Sequence, residues 1–218
     1  METSGNSLLV CGIMTGTSCD GIDFAAIDFN RDGWSPSWEA SREYPKPLRK
    51  RVLEIQKPGT KISVADMFKL NRDLGLFYAD VTEQIIRRLE REERPDVFAL
   101  HGQTVGHFPD QKPGYTVQLG DPTWLARVTG VTTVSHFREG DLTVGGQGAP
   151  LVPFFHYLLA EALDGSDIGV AILNLGGIGN FTYLGPKEMV LASDTGPANL
   201  LIDQAVQEVT RGKELYDE

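Results

Sequence analysis

Two stretches of this chain share one pattern, an apolar run, a glycine turn and a second apolar run, and that repeat constrains the fold more than any other feature. The first is Leu8 to Asp28, LLVCGIMTGTSCDGIDFAAID, and the second is Val170 to Leu184, VAILNLGGIGNFTYL. Each reads as a β-hairpin followed by a third extended stretch and then by helical pattern. In the first, Val10, Ile13, Ile22, Phe24, Ala26 and Ile27 supply strand and core positions, and Gly12, Gly16 and Gly21 permit a tight turn and close approach. Thr15, Thr17 and Ser18 add hydroxyl donors, and consecutive turn amides can form an anion-binding nest. Asp20 and Asp23 do not favour a bare phosphate. They suit a divalent cation held between carboxylate and phosphate oxygens, which is hard-ligand chemistry for Mg²⁺.

This is not the Walker loop, which needs a lysine before its hydroxyl and a helix after it; here a strand follows and no lysine is present. The composition also fits a Gly/Ser turn without a ligand. The second copy, with Gly176, Gly177 and Gly179 at its tip, favours two similar halves, each presenting a hairpin to phosphates from its own side. By analogy that is the logic of the actin-like ATPase and sugar kinase architecture.

Composition sets broad limits. The 218 residues suffice for one large or two small domains, and a formal net charge of −10 disfavours binding to a nucleic-acid backbone. An acidic protein still binds ATP where amides and magnesium neutralise charge locally. No apolar run approaches a membrane span, and Met1 to Asn6 is too polar for a signal peptide. The two cysteines, Cys11 and Cys19, lie on one hairpin and form neither a disulfide framework nor a zinc set. The expectation is a reduced, cytoplasmic protein.

Between the hairpins, a third strand is expected over Trp34 to Tyr44 and a short helix over Leu48 to Gln56. Ser63 with Asp66 makes a capping-box-like start. From there Val64, Met67, Leu70, Leu74, Phe77, Val81, Ile85 and Leu89 step by three or four, predicting a long helix to about Glu93. Val97 to Leu100 reads as a strand running into His101, Gly102, Gln103 and Thr104, at the carboxyl end where α/β folds place ligands. Gln103 and Thr104 can bond sugar hydroxyls or an amide, or serve as ordinary turn residues. His101 can do the same or act as acid or base.

Further strands are expected over Thr116 to Leu119 and Thr132 to Phe137, with a short helix from Asp121 and Pro122 to about Val128. The glycine-rich run Arg138 to Pro153 reads as a hinge before a helix over Phe154 to Leu163. Arg138 can hold a carboxylate bidentately or pair with Glu139 or Asp141. A last strand ends at Asp194, where Thr195, Gly196 and Pro197 open a helix with proline in its first position. Its nearby amides would keep Asp194 ionised, either as a base for water or a sugar hydroxyl or as a plain cap.

The motifs GIMTGTSCDGID, HGQT, FREGD followed by GGQGAPLVP, LNLGGIGN and SDTGPAN together resemble, in order and spacing, those of the anhydro-N-acetylmuramic acid kinases. The resemblance runs over nearly all of the chain. It implies an α/β actin-like ATPase (ribonuclease H-like) fold with a mixed sheet flanked by helices. It also implies a homodimer working in the cytoplasm in peptidoglycan recycling, and use of ATP and Mg²⁺. The implied reaction is cleavage by water of the 1,6-anhydro ring of anhydro-N-acetylmuramic acid with phosphorylation of O6. The products are N-acetylmuramic acid 6-phosphate and ADP, which makes the enzyme a phosphotransferase with an alcohol acceptor.

Carried over by residue, the resemblance assigns Thr15, Gly16, Thr17, Ser18, Cys19, Asp20, Gly21 and Ile22 to the ATP phosphates; Asp20 is the carboxylate that the residue chemistry above places at the metal. Gly176 and Gly177 form the second phosphate hairpin, and Asp194 is the base that activates water. Gln103, Thr104 and Arg138 fall on the sugar side, with Arg138 a partner for the lactyl carboxylate. Thr15 stands where the family usually has serine, Gly106 and Gly140 where basic side chains are frequent, His136 where aspartate is common, and Ala198 where glycine is usual.

The implied organisation is an N-terminal domain over 1–145 and the start of a second over 146–218. Family chains continue past this length with the rest of the second domain and the adenosine pocket, so a piece or a truncated chain is expected, with an exposed sheet edge favouring dimerisation. The alternatives are a non-catalytic sugar-binding or dimerising remnant and a kinase of this fold with another acceptor.

Overall fold

The computed structural model describes residues 7–16, 19–162, 169–185 and 190–213. The chain divides into two compact units, Met1–Gly148 and Ala149–Glu218.

The first unit is built on a five-stranded sheet. Strands β1 (Leu8–Met14), β2 (Gly21–Asn30) and β3 (Gly33–Glu43) form an antiparallel meander, and β4 (Val97–Leu100) and β7 (Thr132–Val134) lie parallel to β1, giving the order β3-β2-β1-β4-β7. The two parallel connections need crossovers, and helices supply them. Helices α1 (Lys46–Ile55) and α2 (Val64–Ile86) lie between β3 and β4, and α3 (Pro122–Thr129) precedes β7. This mixed, helix-flanked sheet has the ribonuclease H-like arrangement that the family resemblance implied.

Alternation along β1 and β2 places Cys11, Ile13, Ile22, Phe24 and Ala26 in the core, against Leu70, Leu74, Tyr78 and Phe98. Each large apolar side chain buried there contributes about 1.5–3 kcal/mol. Ser63 caps α2 as expected, its hydroxyl accepting the Asp66 N–H at 3.0 Å. The helix ends at Ile86, however, and a separate 3₁₀ turn covers Arg91–Glu93. Its buried stripe also differs from the apolar spacing: Val64 is 69% exposed, while Tyr78 is fully buried. The buried face includes Ala79 and Thr82, small side chains that a search for large apolar residues passes over.

Arg51 of α1 donates to Asp73 of α2 at 2.6 Å, and Arg72 donates to the other carboxylate oxygen at 2.8 Å. Partial burial acts to raise the Asp73 carboxyl, but the two arginines outweigh it and hold the group below its usual value. A depressed carboxyl contributes stability above the unfolded aspartate value of about 3.9, and that stability is lost as pH falls through the folded value. Asp73→Asn is therefore expected to cost about 1 kcal/mol at pH 7, since the pair is partly exposed, and less at about pH 3, below the unfolded aspartate value. Urea unfolding at the two pH values checks this.

Two elements differ from expectation. Gln103–Phe108 is a strand, β5, pairing antiparallel with β6 (Tyr115–Leu119) through a bulge between Thr104 and Gly106. The expected strand over 132–137 stops at Val134, and Phe137–Thr143 is a helix, α4, so Arg138 sits on a helix rather than in a hinge. His136 adopts φ 65° at the start of that helix.

The second unit contains α5 (Pro153–Ala162), β8 (Val170–Leu175), β9 (Ile178–Leu184), β10 (Val190–Pro197) and α6 (Asn199–Val209). Its strands form an antiparallel sheet in the order β10-β9-β8, the same meander as β3-β2-β1. The repeat seen in the sequence is thus a repeat in structure. No helix among the described residues is long and apolar enough to cross a membrane.

Candidate functional site

The β1–β2 turn is tied down on several sides. The Gly16 carbonyl accepts the Cys19 N–H at 3.3 Å and the Gln103 side-chain amide at 3.0 Å. The Cys19 carbonyl accepts Arg49 Nε at 2.8 Å, and the Asp20 carbonyl accepts the Tyr44 N–H at 3.0 Å. Thr17 and Ser18, both expected at the phosphates, lie outside the described residues.

Below the turn lies a buried polar network that sequence reasoning missed. The Tyr44 hydroxyl donates to Gln103 Oε1 at 3.1 Å and lies 2.8 Å from the Tyr78 hydroxyl. Tyr44 has one proton to give, so Tyr78 donates to Tyr44. Burial, the largest influence on both, raises the two phenols far above their usual range and keeps them as neutral donors. The Thr15 hydroxyl donates to the Gly102 carbonyl at 2.8 Å. Tyr44 and Tyr78 carried no signal beyond an aromatic type at a strand end and in a helix. Their partners lie 34 and 59 residues apart in the chain.

These contacts reassign several residues. Gln103, expected on the sugar side, is fully buried with both ends of its amide engaged, so it positions the turn. Thr15 is buried and its proton is already given to Gly102. Cys19 and Ile22 turn fully buried side chains inward. Of the turn amides, Cys19 N–H bonds Gly16 and Gly21 N–H bonds the Asp20 carboxylate at 3.0 Å, so neither is offered to a ligand. Asp20 is exposed. Asp23 has its carboxyl raised by partial burial and then by the charge of Asp20. Thr104 accepts from Gln118 Nε2 at 3.2 Å through its hydroxyl.

Burial pushes the Cys11 thiol up to about 12 and the Cys19 thiol up to about 11. Since the thiolate is the reactive form, a disulfide reagent at pH 8 is expected to titrate neither thiol in the native chain and both after unfolding. A fast native reaction would contradict the buried placement of Cys19.

At the carboxyl end of β4, His101 and Arg138 meet. Arg138 Nε donates to His101 Nε2 at 2.8 Å, and Arg138 Nη1 donates to the Gly148 carbonyl at 2.7 Å. Beside them is a cavity of about 320 Å³ lined by Phe68, Asn71, His101, Gln118, Ser135 and His136 among others. Gln118 Oε1 is buried without a hydrogen-bond partner among the described residues.

In the second unit, Gly176 and Gly177 form the turn between β8 and β9. Their carbonyls accept the first amides of α6: Ala198 and Leu200 N–H bond Gly177 at 3.0 and 3.2 Å, and Asn199 N–H bonds Gly176 at 3.0 Å. The helix therefore caps the hairpin, and those amides are not turned toward Asp194. Pro197 is the last residue of β10, not the first of the helix, because the strand continues past Asp194 through a bulge. Thr195 is the extra residue, with its hydroxyl donating to the Gly179 carbonyl at 2.9 Å. Bulges re-aim side chains next to functional sites. Asp194, just before the bulge, is exposed.

The family model for anhydro-N-acetylmuramic acid kinase matches residues 8–218. Curated relatives of that name include one from Gloeobacter violaceus, 44% identical over 210 residues, covering 91% of this chain and 54% of the relative. Others are from Xanthomonas oryzae (39% identical, covering 93% and 54%) and Shewanella sediminis (38% identical, covering 98% and 57%). This chain spans about half the length of those relatives. Among solved structures, a Ppx/GppA family member from Aquifex aeolicus aligns at 11% identity with a TM-score of 0.41, covering 94% of this chain and 59% of that one. The breadth of the family match and the identity of these relatives establish that the chain belongs to the anhydro-N-acetylmuramic acid kinase family.

Proposed function

We propose that this chain carries the phosphate hairpins, the sugar-side groups and the base of an ATP-dependent kinase. Its reaction opens the 1,6-anhydro ring of anhydro-N-acetylmuramic acid and phosphorylates O6. The observation that carries the reading is the exposed Asp194 carboxylate beside the β10 bulge, on a sheet that repeats the meander of the first unit. Asp194 takes a proton from water as the water oxygen bonds to the anomeric carbon. The bond from that carbon to the bridging oxygen breaks, and the electron pair goes to O6. O6 then bonds to the terminal phosphorus of ATP, and the bond to the ADP oxygen breaks.

The chain's own residues divide the other tasks. Gln103, Arg49 and Tyr44 hold the Gly16, Cys19 and Asp20 carbonyls on either side of the β1–β2 turn, which faces the phosphates. Asp20, exposed and near the charge of Asp23, is a suitable oxygen ligand for Mg²⁺, which commonly keeps several waters and binds through one or two carboxylates plus phosphate. The metal would offset phosphate charge there. The Gly176–Gly177 turn presents the second hairpin. On the sugar side, Arg138 offers a guanidinium to the lactyl carboxylate, and the adjacent cavity, lined by His101 and Gln118 among others, can receive the rest of the sugar. A cytoplasmic homodimer in cell-wall recycling accompanies the reading, on family resemblance.

The test is incubation of the chain with ATP, Mg²⁺ and anhydro-N-acetylmuramic acid, following the sugar by mass spectrometry in ¹⁸O water. The expected product is N-acetylmuramic acid 6-phosphate with one ¹⁸O at C1. Phosphorylated product without the label would overturn water attack, and binding of the sugar without any product would leave a binding unit in place of a kinase.

A further inference from the structure

The imidazole of His101 has a definite tautomer. Its Nδ1 lies 2.7 Å from the Gly102 carbonyl, which can only accept, so Nδ1 carries the proton. Nε2 is then a lone pair, and it faces the Arg138 Nε–H at 2.8 Å. Burial, followed by the charge of Arg138, lowers the His101 pKa and keeps the ring neutral. Glu139 acts weakly in the opposite sense. The Gly102 carbonyl that fixes the ring also accepts the Thr15 hydroxyl at 2.8 Å, which uses both of its lone pairs. Gly102 reaches this position with φ +75°, and a Cβ there would lie 2.9 Å from the Leu119 carbonyl oxygen.

The guanidinium is thereby oriented. Its Nε is engaged by His101, and one Nη1 proton by the Gly148 carbonyl. The side-on edge, Nε with Nη2, is blocked for an incoming carboxylate, and the protons that remain are those of Nη2 and the second proton of Nη1. We propose that His101 is a positioning residue: as the Nδ1–H tautomer it accepts the Arg138 Nε–H and turns the Nη1–Nη2 end of the guanidinium toward a carboxylate-bearing ligand. The Thr15–Gly102–His101–Arg138 chain also links the first hairpin to this arginine, so one set of contacts orients both the turn and the carboxylate receptor. The inference rests on the proposed function only for the identity of the carboxylate, the lactyl group of the sugar.

The experiment uses the ¹⁵N-labelled chain with His101→Asn and His101→Gln. Asn keeps an N–H for Gly102 but does not reach Arg138, whereas the longer Gln restores an acceptor toward Nε. The parent is expected to show His101 as the Nδ1–H tautomer and an exchange-protected Arg138 Nε–H. That protection should be lost in His101→Asn and regained in His101→Gln. In calorimetric titrations the parent and His101→Gln should prefer anhydro-N-acetylmuramic acid over 1,6-anhydro-N-acetylglucosamine, which lacks the lactyl group. His101→Asn should lose about tenfold or more of that preference, read as the ratio of the two affinities, as expected for a charged hydrogen-bonded contact.

An Nε2–H tautomer, or a full carboxylate preference in His101→Asn, would overturn the inference. If neither sugar binds the parent, the sugar reading fails on its own, and sodium D-lactate becomes the carboxylate probe. A lactate-dependent shift of the Arg138 Nε resonance in the parent and His101→Gln but not in His101→Asn supports the positioning role. The same shift in all three, or none in the parent, overturns it.

Discussion

With Asp194 as the proposed base, Asp194→Asn is expected to lower turnover in the proposed reaction by about 10²- to 10⁴-fold, the usual contribution of a positioned general base, with ligand binding near parental values. The substitution is isosteric and removes the negative charge, and with it the capacity to take a proton. Its structural cost should be small because the local geometry does not depend on the carboxylate. The β9–β10 ladder and the Thr195 hydroxyl bond to Gly179 hold the bulge, and α6 is capped by the Gly176 and Gly177 carbonyls. Single-turnover kinetics with the labelled-water assay separates chemistry from binding. Thr195→Val, which deletes the hydroxyl bond that shapes the bulge, is the contrasting variant: it should impair turnover by misplacing Asp194 with the base still present. Parental turnover in Asp194→Asn would remove Asp194 from the mechanism.

The second large effect is on stability. Gly120 follows β6 with φ +113°, and a Cβ there would lie 2.2 Å from Cε2 of the fully buried Tyr78. Gly120→Ala therefore combines backbone strain of about 1–3 kcal/mol with overpacking of about 1–3 kcal/mol. A loss of about 2–6 kcal/mol is a large share of the 5–15 kcal/mol that holds a typical domain. The damage should reach the hairpin, because Tyr78 supports Tyr44, Tyr44 supports Gln103, and Gln103 holds the Gly16 carbonyl. Urea unfolding measures the loss. Pairing Gly120→Ala with Tyr78→Leu should recover the overpacking part and not the strain. Unchanged stability in the single variant would contradict the placement of Tyr78.

The local elements with strong chemical punctuation were legible from the residues alone. Alternating apolar positions around Gly16 to Gly21 and around Gly176 and Gly177 define both hairpins, since a pleated strand needs period two and a tight turn needs glycine. Ser63 with Asp66 marks the start of α2, and Asp121 with Pro122 marks α3, whose cap accepts the Thr123 N–H at 2.9 Å. Arg138 and Asp194 were identifiable as candidates by residue type and motif order.

What stayed hidden depended on residues far apart in the chain. Gly140 and the glycines that follow disguised α4 as a hinge, although Arg138, Glu139 and Leu142 are good helix formers. The bulge at Thr104 and Gly106 broke the alternation of β5, and only pairing with β6 makes it a strand. Gln103 resembled a sugar ligand because a polar side chain at a strand end is often one. Tertiary structure buries it, since the unpaired Gly16 carbonyl and Tyr44 hydroxyl cost more than the amide that satisfies them. Both repeated hairpins and the identity of the charged groups are written in the local pattern of residues. Which polar side chains are buried to hold the turn and which stay exposed is a matter of tertiary packing, because a buried hydrogen bond is set by neighbours across the sheet and not along the chain.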